Sequence, residues 1–211
     1  MGEVVHLFPT PVFLCDEKYS DDNLLSLIDG IKMRQNDNNN FSSTDDYVLD
    51  WPELFHLKKY IERNLDHYAH HILGIKEEHY FRITQSWFNV NKKGTSHHSH
   101  THPNSIFSGI FFVGGDDSCP VVFQNSKDTE FGLPLKFSFK EYSIINSSEY
   151  SLRNDKNTLV IFPSTLRHSV GKNESDIDRI SLSFNTFVSG SIGSALQKTR
   201  LILTGLHEYG E

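Results

Sequence analysis

The hydrophobic period of this chain changes once, near residue 80. Upstream, apolar residues recur at helical spacing: Leu24, Leu25, Leu27, Ile28 and Ile31 predict an amphipathic helix between Ser20 and Met33, with Ser20 or Asp21 as its cap. A second helix is predicted from Asp50 to Gly74, where Pro52 sits in the first turn and Leu54, Leu57, Ile61, Leu65, Tyr68 and Ile72 continue one apolar face. Downstream the pattern is extended. The runs Tyr80 to Asn91, Ser105 to Val113, Pro120 to Gln124, Phe137 to Ile145, Thr158 to Phe162 and Arg179 to Val188 are rich in Phe, Ile, Val and Ser and are separated by Gly, Asn, Asp and Pro. Val4 to Phe13 is β-prone but broken by Pro9 and Pro11, which suits an edge strand. Residues 35–46 have little to bury and read as a linker or a lid-like loop. After Gly193, Leu196, Leu201, Ile202 and Leu203 are expected to pack as a last helix or to mediate an oligomer such as a homodimer.

Helices first and strands after is the α+β ordering, in which a helical layer supports one sheet of a jelly roll. The length of 211 residues suits one domain. Its expected parts are 1–78 (edge strand and supporting helices), 79–188 (β core) and 189–211 (C-terminal extension). No window of 18 apolar residues occurs and the start lacks a signal-peptide pattern, so a soluble, cytoplasmic protein without membrane contact is expected. A net charge of -7 argues against a broad basic surface for nucleic acid. Cys15 and Cys119 are the only cysteines and stand far apart without a CxxC partner, so neither a disulfide framework nor a thiolate zinc site is indicated.

Histidine is the biased residue: of 12 in the chain, His97, His98, His100 and His102 fall within six positions. In a strand, residues i and i+2 share a face, so His100 and His102 can grip one ion; His98 and His100 have the same local geometry. His168, after the β-run Thr158 to Phe162, is the best-placed third ligand. Three protein ligands leave coordination positions open, as a catalytic metal requires, whereas a structural zinc needs a fourth ligand from Cys119 or His97. His67 and His71 are spaced i, i+4, but no third ligand completes a helical zinc motif. Eleven residues beyond His168, Arg179 opens a strand and offers a fixed fork for a carboxylate, with Ser181 on the same face. Gln85, Trp87, Asn89 and Asn91 alternate onto one face ahead of the histidines and are expected to line the pocket, and Arg167 could meet an acidic substrate.

With those residues in view, the sequence resembles the 2-oxoglutarate/iron(II) oxygenases of bacteria and their phages, in the prolyl-hydroxylase-like branch of the superfamily. The resemblance runs to residue 188 and rests on Leu7-Phe8-Pro9-Thr10-Pro11, Trp87-Phe88-Asn89-Val90-Asn91, Gly94 followed by His100-Thr101-His102-Pro103, Ser108-Gly109, Phe162-Pro163-Ser164 with His168, and Arg179 to Asn185. It implies a double-stranded β-helix of cupin-like type and Fe(II) on His100, His102 and His168. It also implies a 2-oxoglutarate cosubstrate whose far carboxylate meets Arg179 and Ser181, with Asn91 beside them. The reaction so implied is O2-dependent hydroxylation of an unactivated C–H bond on a small molecule or a protein side chain, releasing succinate and CO2. A phage-encoded copy would work in the host cytoplasm.

Two departures qualify it. His102 stands where most of the superfamily has aspartate, so three neutral imidazoles replace two and a carboxylate unless Asp116 or Asp117 enters the shell. Phe111-Phe112 replaces a pair that is often tyrosine, removing hydroxyls. The alternatives are a cupin-like metalloprotein of another class, either an isomerase or an oxoacid-independent dioxygenase, and a structural-metal binding module; an oxoacid anchor at Arg179 separates them.

Overall fold

The structure, a computed structural model, describes residues 2–21, 23–36, 39–125, 137–153 and 155–204. Two antiparallel sheets make its body. The larger is centred on four strands, β4 (Tyr80–Asn91), β6 (Phe107–Gly114), β9 (Leu159–Pro163) and β11 (Arg179–Ile192). Short strands β1 (Phe13–Leu14), β2 (Met33–Gln35) and β3 (Phe41–Ser43) extend its edges to give the order β1-β9-β6-β11-β4-β3-β2, and β12 (Leu201–Leu203) pairs back on the far end of β11. The smaller sheet has the order β5 (His97–His100), β10 (His168–Val170), β7 (Val121–Gln124), β8 (Glu149–Leu152).

Strand periodicity assigns the two faces of the large sheet. Phe88, Val90, Leu182 and Phe184 point to one side and pack with Leu57, Ile61, Leu65 and Tyr68 of the helical layer, each of these side chains being nearly or fully buried. Full burial of a side chain of this size contributes about 1.5–3 kcal/mol, so this face carries most of the stability. On the other side Ile110, Phe112, Val160 and Phe162 meet Val121 and Phe123 of the small sheet. The result is the expected α+β jelly roll with a supporting helical layer. Gly109 on β6 is required by this packing: a Cβ there would lie 2.2 Å from Phe184 Cζ and 2.9 Å from the Val160 carbonyl. Among the described residues, no helix is long and apolar enough to cross a membrane.

Several local expectations are corrected. The first helix, α1, covers only Leu24–Asp29 and has no side-chain cap; Met33 has already entered β2. The second begins as two 3-10 turns, Val48–Asp50 and Pro52–Leu54, and becomes α-helical (α2) at Phe55–Asp66. Trp51 stays extended (φ -70°, ψ 139°), as the residue before a proline favours, and Asp50 accepts from Lys58 Nζ without capping the helix. A π-helical turn, His67–Ile72, then leads to Gly74, whose φ of +67° ends the helix.

Residues 35–36 and 39–46, the described part of the segment read as a linker or a lid-like loop, are structured. They close the β2–β3 hairpin, with Asn39 at φ +62° in its turn and Phe41 paired to Val90 of β4. Asn39 supplies the left-handed backbone that such a turn uses. In the 4–13 segment only Phe13 reaches a strand, because Pro9 and Pro11 have no N–H to donate. Phe137 to Ile145 forms no strand; Ser143 and Asn146 bond their own backbone, Phe137, Tyr142, Ile144 and Ile145 are exposed, and the next strand waits until Glu149. The described tail, to residue 204, contains no helix: β11 runs on to Ile192 and is met by β12.

Candidate active site

On the face of the large sheet that looks toward the small one, the alternation seen in sequence becomes a polar stripe. Arg179 pairs directly with Asn91, Ser181 with Asn89 and Ser183 with Trp87 across β11 and β4, and all six line one pocket. Arg179 is 2 % exposed. Its Nη1 donates to Ser181 Oγ at 3.0 Å and to Asn91 Oδ1 at 3.1 Å, while Phe112 covers the guanidinium at 5.4 Å. Nε and Nη2 are buried and have no hydrogen-bond partner. Those two N–H groups form the edge of the guanidinium that receives both oxygens of a carboxylate side by side. Burial pulls the Arg179 pKa down to about 10, which leaves the cation intact at neutral pH. A buried charge with an unpaired edge costs several kcal/mol, and a carboxylate ligand would relieve that cost.

The histidine end of the pocket is built from β5 and β10. His168 lies directly across from His100 in the ladder, so residues far apart in sequence become cross-strand neighbours. From that pair to the next, His97 opposite Val170, β5 advances one residue more than β10. This bulge breaks the simple alternation: His97 and His100 both line the pocket while His98 is exposed. Two points of the strand argument are thereby corrected. β5 ends at His100, and His102 lies beyond it, held by its backbone N–H donating to the Ser164 carbonyl at 3.0 Å. Equal standing for His98 and His102 also disappears, since His102 faces His168 and His98 does not.

Ring hydrogen bonds set the protonation of these imidazoles. A carbonyl only accepts, so His168 Nδ1, 3.0 Å from the Leu166 carbonyl, and His100 Nδ1, 2.9 Å from the His98 carbonyl, carry the protons and leave Nε2 as lone pairs. His102 Nε2 lies 3.2 Å from His168 Nε2, and the Asn185 side chain hydrogen-bonds the His102 ring. Two nitrogens bound about 2.0–2.1 Å from one ion are about 2.9–3.4 Å apart, so this spacing fits a shared metal. Burial, reinforced by the neighbouring histidines, pushes His102 down to about 3, and burial pushes His168 down to about 4. His100 is lowered for the same leading reason. All three are therefore neutral at pH 7 and can act as ligands.

Other candidates lie elsewhere. Cys119, its thiol pKa pushed up by burial, donates to the Gly171 carbonyl, and Asp116 accepts from the Ser118 N–H; neither belongs to a metal-competent group among the described residues. His67 and His71 lie with tilted rings 5.3 Å apart and belong to no metal-competent group among the described residues. Gln85 is exposed and bonds Asn185 without lining the pocket, and Arg167 is exposed. The sequence reading missed Asn40 and Asn185. Asn40 is 3 % exposed; its Oδ1 accepts from Asn91 Nδ2 at 2.6 Å and thereby orients the residue that orients Arg179. Only the β3–β4 pairing brings it there, and the asparagine-rich turn before it was the available signal.

One pocket thus opposes three convergent neutral nitrogens to a buried cationic edge shaped for a carboxylate, which is the constellation of a jelly-roll metal oxygenase using an acidic cosubstrate. Residues 85–185 match the family described as "Putative 2OG-Fe(II) oxygenase". That match and the metal-competent group His100, His102 and His168 indicate a 2-oxoglutarate- and iron(II)-dependent oxygenase, a class that consumes O2. A search of curated protein sequences found no match. Among solved structures, HygX from Streptomyces hygroscopicus with nickel, 2-oxoglutarate and hygromycin B bound is similar at TM-score 0.58, with 6% identity over 84% of this chain and 82% of that one. A Pseudomonas putida prolyl-4-hydroxylase gives TM-score 0.53, with 14% identity over 83% of this chain and 92% of that one. The viral collagen prolyl hydroxylase of Paramecium Bursaria Chlorella virus-1, in its 2-oxoglutarate complex, gives TM-score 0.52, with 11% identity over 83% and 95%. At such identities these likenesses speak for the fold, the double-stranded β-helix expected from the resemblance.

Proposed function

We propose that the whole chain forms one oxygenase domain, with His100, His102 and His168 holding Fe(II) and Arg179 and Ser181 receiving the far carboxylate of 2-oxoglutarate. The observation that carries this reading is the unpartnered Nε–Nη2 edge of Arg179, buried in the same pocket as the three histidines. When bound, iron with 2-oxoglutarate and O2 supplies the oxidising power to convert a C–H bond to C–OH, with succinate and CO2 as co-products. The protein's own residues position and shield. Asn40 holds Asn91, Asn91 and Ser181 hold one Nη of Arg179, and the opposite edge is left aimed at the cosubstrate. Leu166 and His98 fix the tautomers of two ligands through their carbonyls. Phe162 and Phe123 pack around His168 and exclude water from its inner side.

The substrate side of the pocket is bordered by Trp87, Asn36 and Asn89. An amphipathic ring and two amides suit a small molecule or a protein side chain carrying hydrogen-bonding groups; hydroxylation of a prolyl residue is one such reaction, consistent with the named neighbours. A cytoplasmic setting, with its free 2-oxoglutarate, fits this chemistry. Anaerobic protein loaded with Fe(II) and 2-oxoglutarate, then exposed to O2, should release succinate even without its substrate. His168→Ala and Arg179→Ala should abolish that release. Succinate formation that persists in both variants would overturn the assignment.

A further inference from the structure

We infer that the histidine tract contains a second, alternative cation site, His97-His98-His100, which takes a borderline divalent cation such as Zn2+, Cu2+ or Ni2+ and withdraws His100 from the inner triad in doing so. One ring nitrogen of each of these three residues lies within 4.8 Å of the other two. With nitrogens about 2.0–2.1 Å from an ion and ring centres about 1.2 Å further out, three imidazoles on one ion have centroids about 4.6–5.3 Å apart. The outer triad shows 4.7, 4.7 and 5.5 Å; the inner one shows 5.1, 4.4 and 5.1 Å. Both groups are near that window, and the bulge in β5 that turns His97 inward is what creates the second one.

The two sites exclude each other. His100 spends its Nδ1 proton on the His98 carbonyl and has a single lone pair, on Nε2, which can serve one ion. Position also favours the outer group as the first encountered: His98 is exposed and His97 half-buried, whereas His168 in the inner group is 3 % exposed. At either triad imidazole nitrogens bind Zn2+, Ni2+ and Cu2+ more tightly than Fe(II), so these ions are the natural occupants of the group met first. An ion held outside would therefore block iron loading by capturing His100, while leaving His102 and His168 untouched. This inference depends on the proposed iron site only for its consequence, since the outer triad stands on its own geometry.

The test removes the inner site and leaves the outer one. In His102→Ala/His168→Ala protein, with its fold verified by circular dichroism, calorimetric titration with ZnCl2 should find one ion per chain. Adding His97→Ala and His98→Ala should weaken that binding at least tenfold. Wild type should take one Zn2+ in total. Failure of the double variant to bind Zn2+, indifference to loss of His97 and His98, or two ions bound successively by wild type would each overturn the inference. Should the double variant not fold, His102→Gln, placed in the loop after β5, carries the same expectations. Succinate release by the iron-loaded wild type tests the proposed function separately, so a failure of one is distinguishable from a failure of the other.

Discussion

Arg179 and its partners stand on β11 and β4, strands of 14 and 12 residues paired over nearly their whole length, whereas His100 and His168 stand on strands of four and three residues joined across a bulge. The carboxylate end is held by a sheet that also anchors the main core, so moving Arg179 would mean moving Leu182 and Phe184, both fully buried. The histidine end is backed only by the smaller cluster, in which Phe123 and Phe162 pack against His168. His102 is outside regular structure, and His97, His98 and His100 crowd one short edge strand of the small sheet. A cosubstrate with fixed length and charge needs a rigid receiver; a metal can be gripped by side chains gathered from a bulge, a loop and a neighbouring strand. The difference teaches why the anchor admits one arrangement and the ligand tract admits two.

Four substitutions would break or sharpen this contrast. The largest effect is expected for His168→Ala, which removes the one of the three proposed ligands that is almost fully buried. With the outer group removed by His97→Ala and His98→Ala in both proteins, affinity for Co2+ at the inner site, followed by the metal-induced rise in Tm, should fall by more than the roughly 10–100-fold that loss of an outer partner costs. Arg179→Lys keeps the charge but loses the two-point edge. Affinity for 2-oxoglutarate, measured anaerobically on Fe(II)-loaded protein, should drop about 10–150-fold, the value of about 1.5–3 kcal/mol for a charged hydrogen bond, with metal affinity little changed. If metal affinity fell equally, the two ends would not be separable.

Gly109→Ala tests the rigidity of the large sheet itself. Its new methyl would overlap Phe184 and the Val160 carbonyl. Overpacking of about 1–3 kcal/mol should lower Tm by about 2–12 °C in a calorimetric scan. A Tm within a degree of wild type would show that the sheet yields more readily than the pairing suggests. The smallest effect is expected for Asn40→Ala, which leaves Asn91 Nδ2 without its acceptor. A loss of about 1 kcal/mol predicts roughly fivefold weaker 2-oxoglutarate binding with unchanged metal binding. An unchanged 2-oxoglutarate affinity would show that Asn91 keeps its orientation without that support.

Period and residue chemistry, both local, made much of this legible in sequence. The alternation Trp87-Phe88-Asn89-Val90-Asn91 and Arg179-Ile180-Ser181-Leu182 already separates a core face from a polar face, because side chains on a strand alternate whatever the strand pairs with. The concentration of histidines pointed to a metal, and an arginine followed two positions later by a serine pointed to a carboxylate. What stayed hidden depended on pairing partners. The asparagine-rich stretch looked unstructured because hairpin formation needs β4 as a template, and Asn40 became a buried partner of Asn91 only through it. Phe137 to Ile145 looked like a strand because apolar content was visible while its lack of a neighbour was not.

The sequence by itself determined the class of structure, the polar and apolar faces of the long strands, and the residue types able to hold a metal and a carboxylate. Which histidines converge, and that Arg179 keeps one edge open while spending the other on Ser181 and Asn91, only the tertiary structure decided. The reason lies in register. One extra residue in β5 decides whether His97 or His98 faces the pocket, and register is set by hydrogen bonds to strands whose distance along the chain no local pattern encodes.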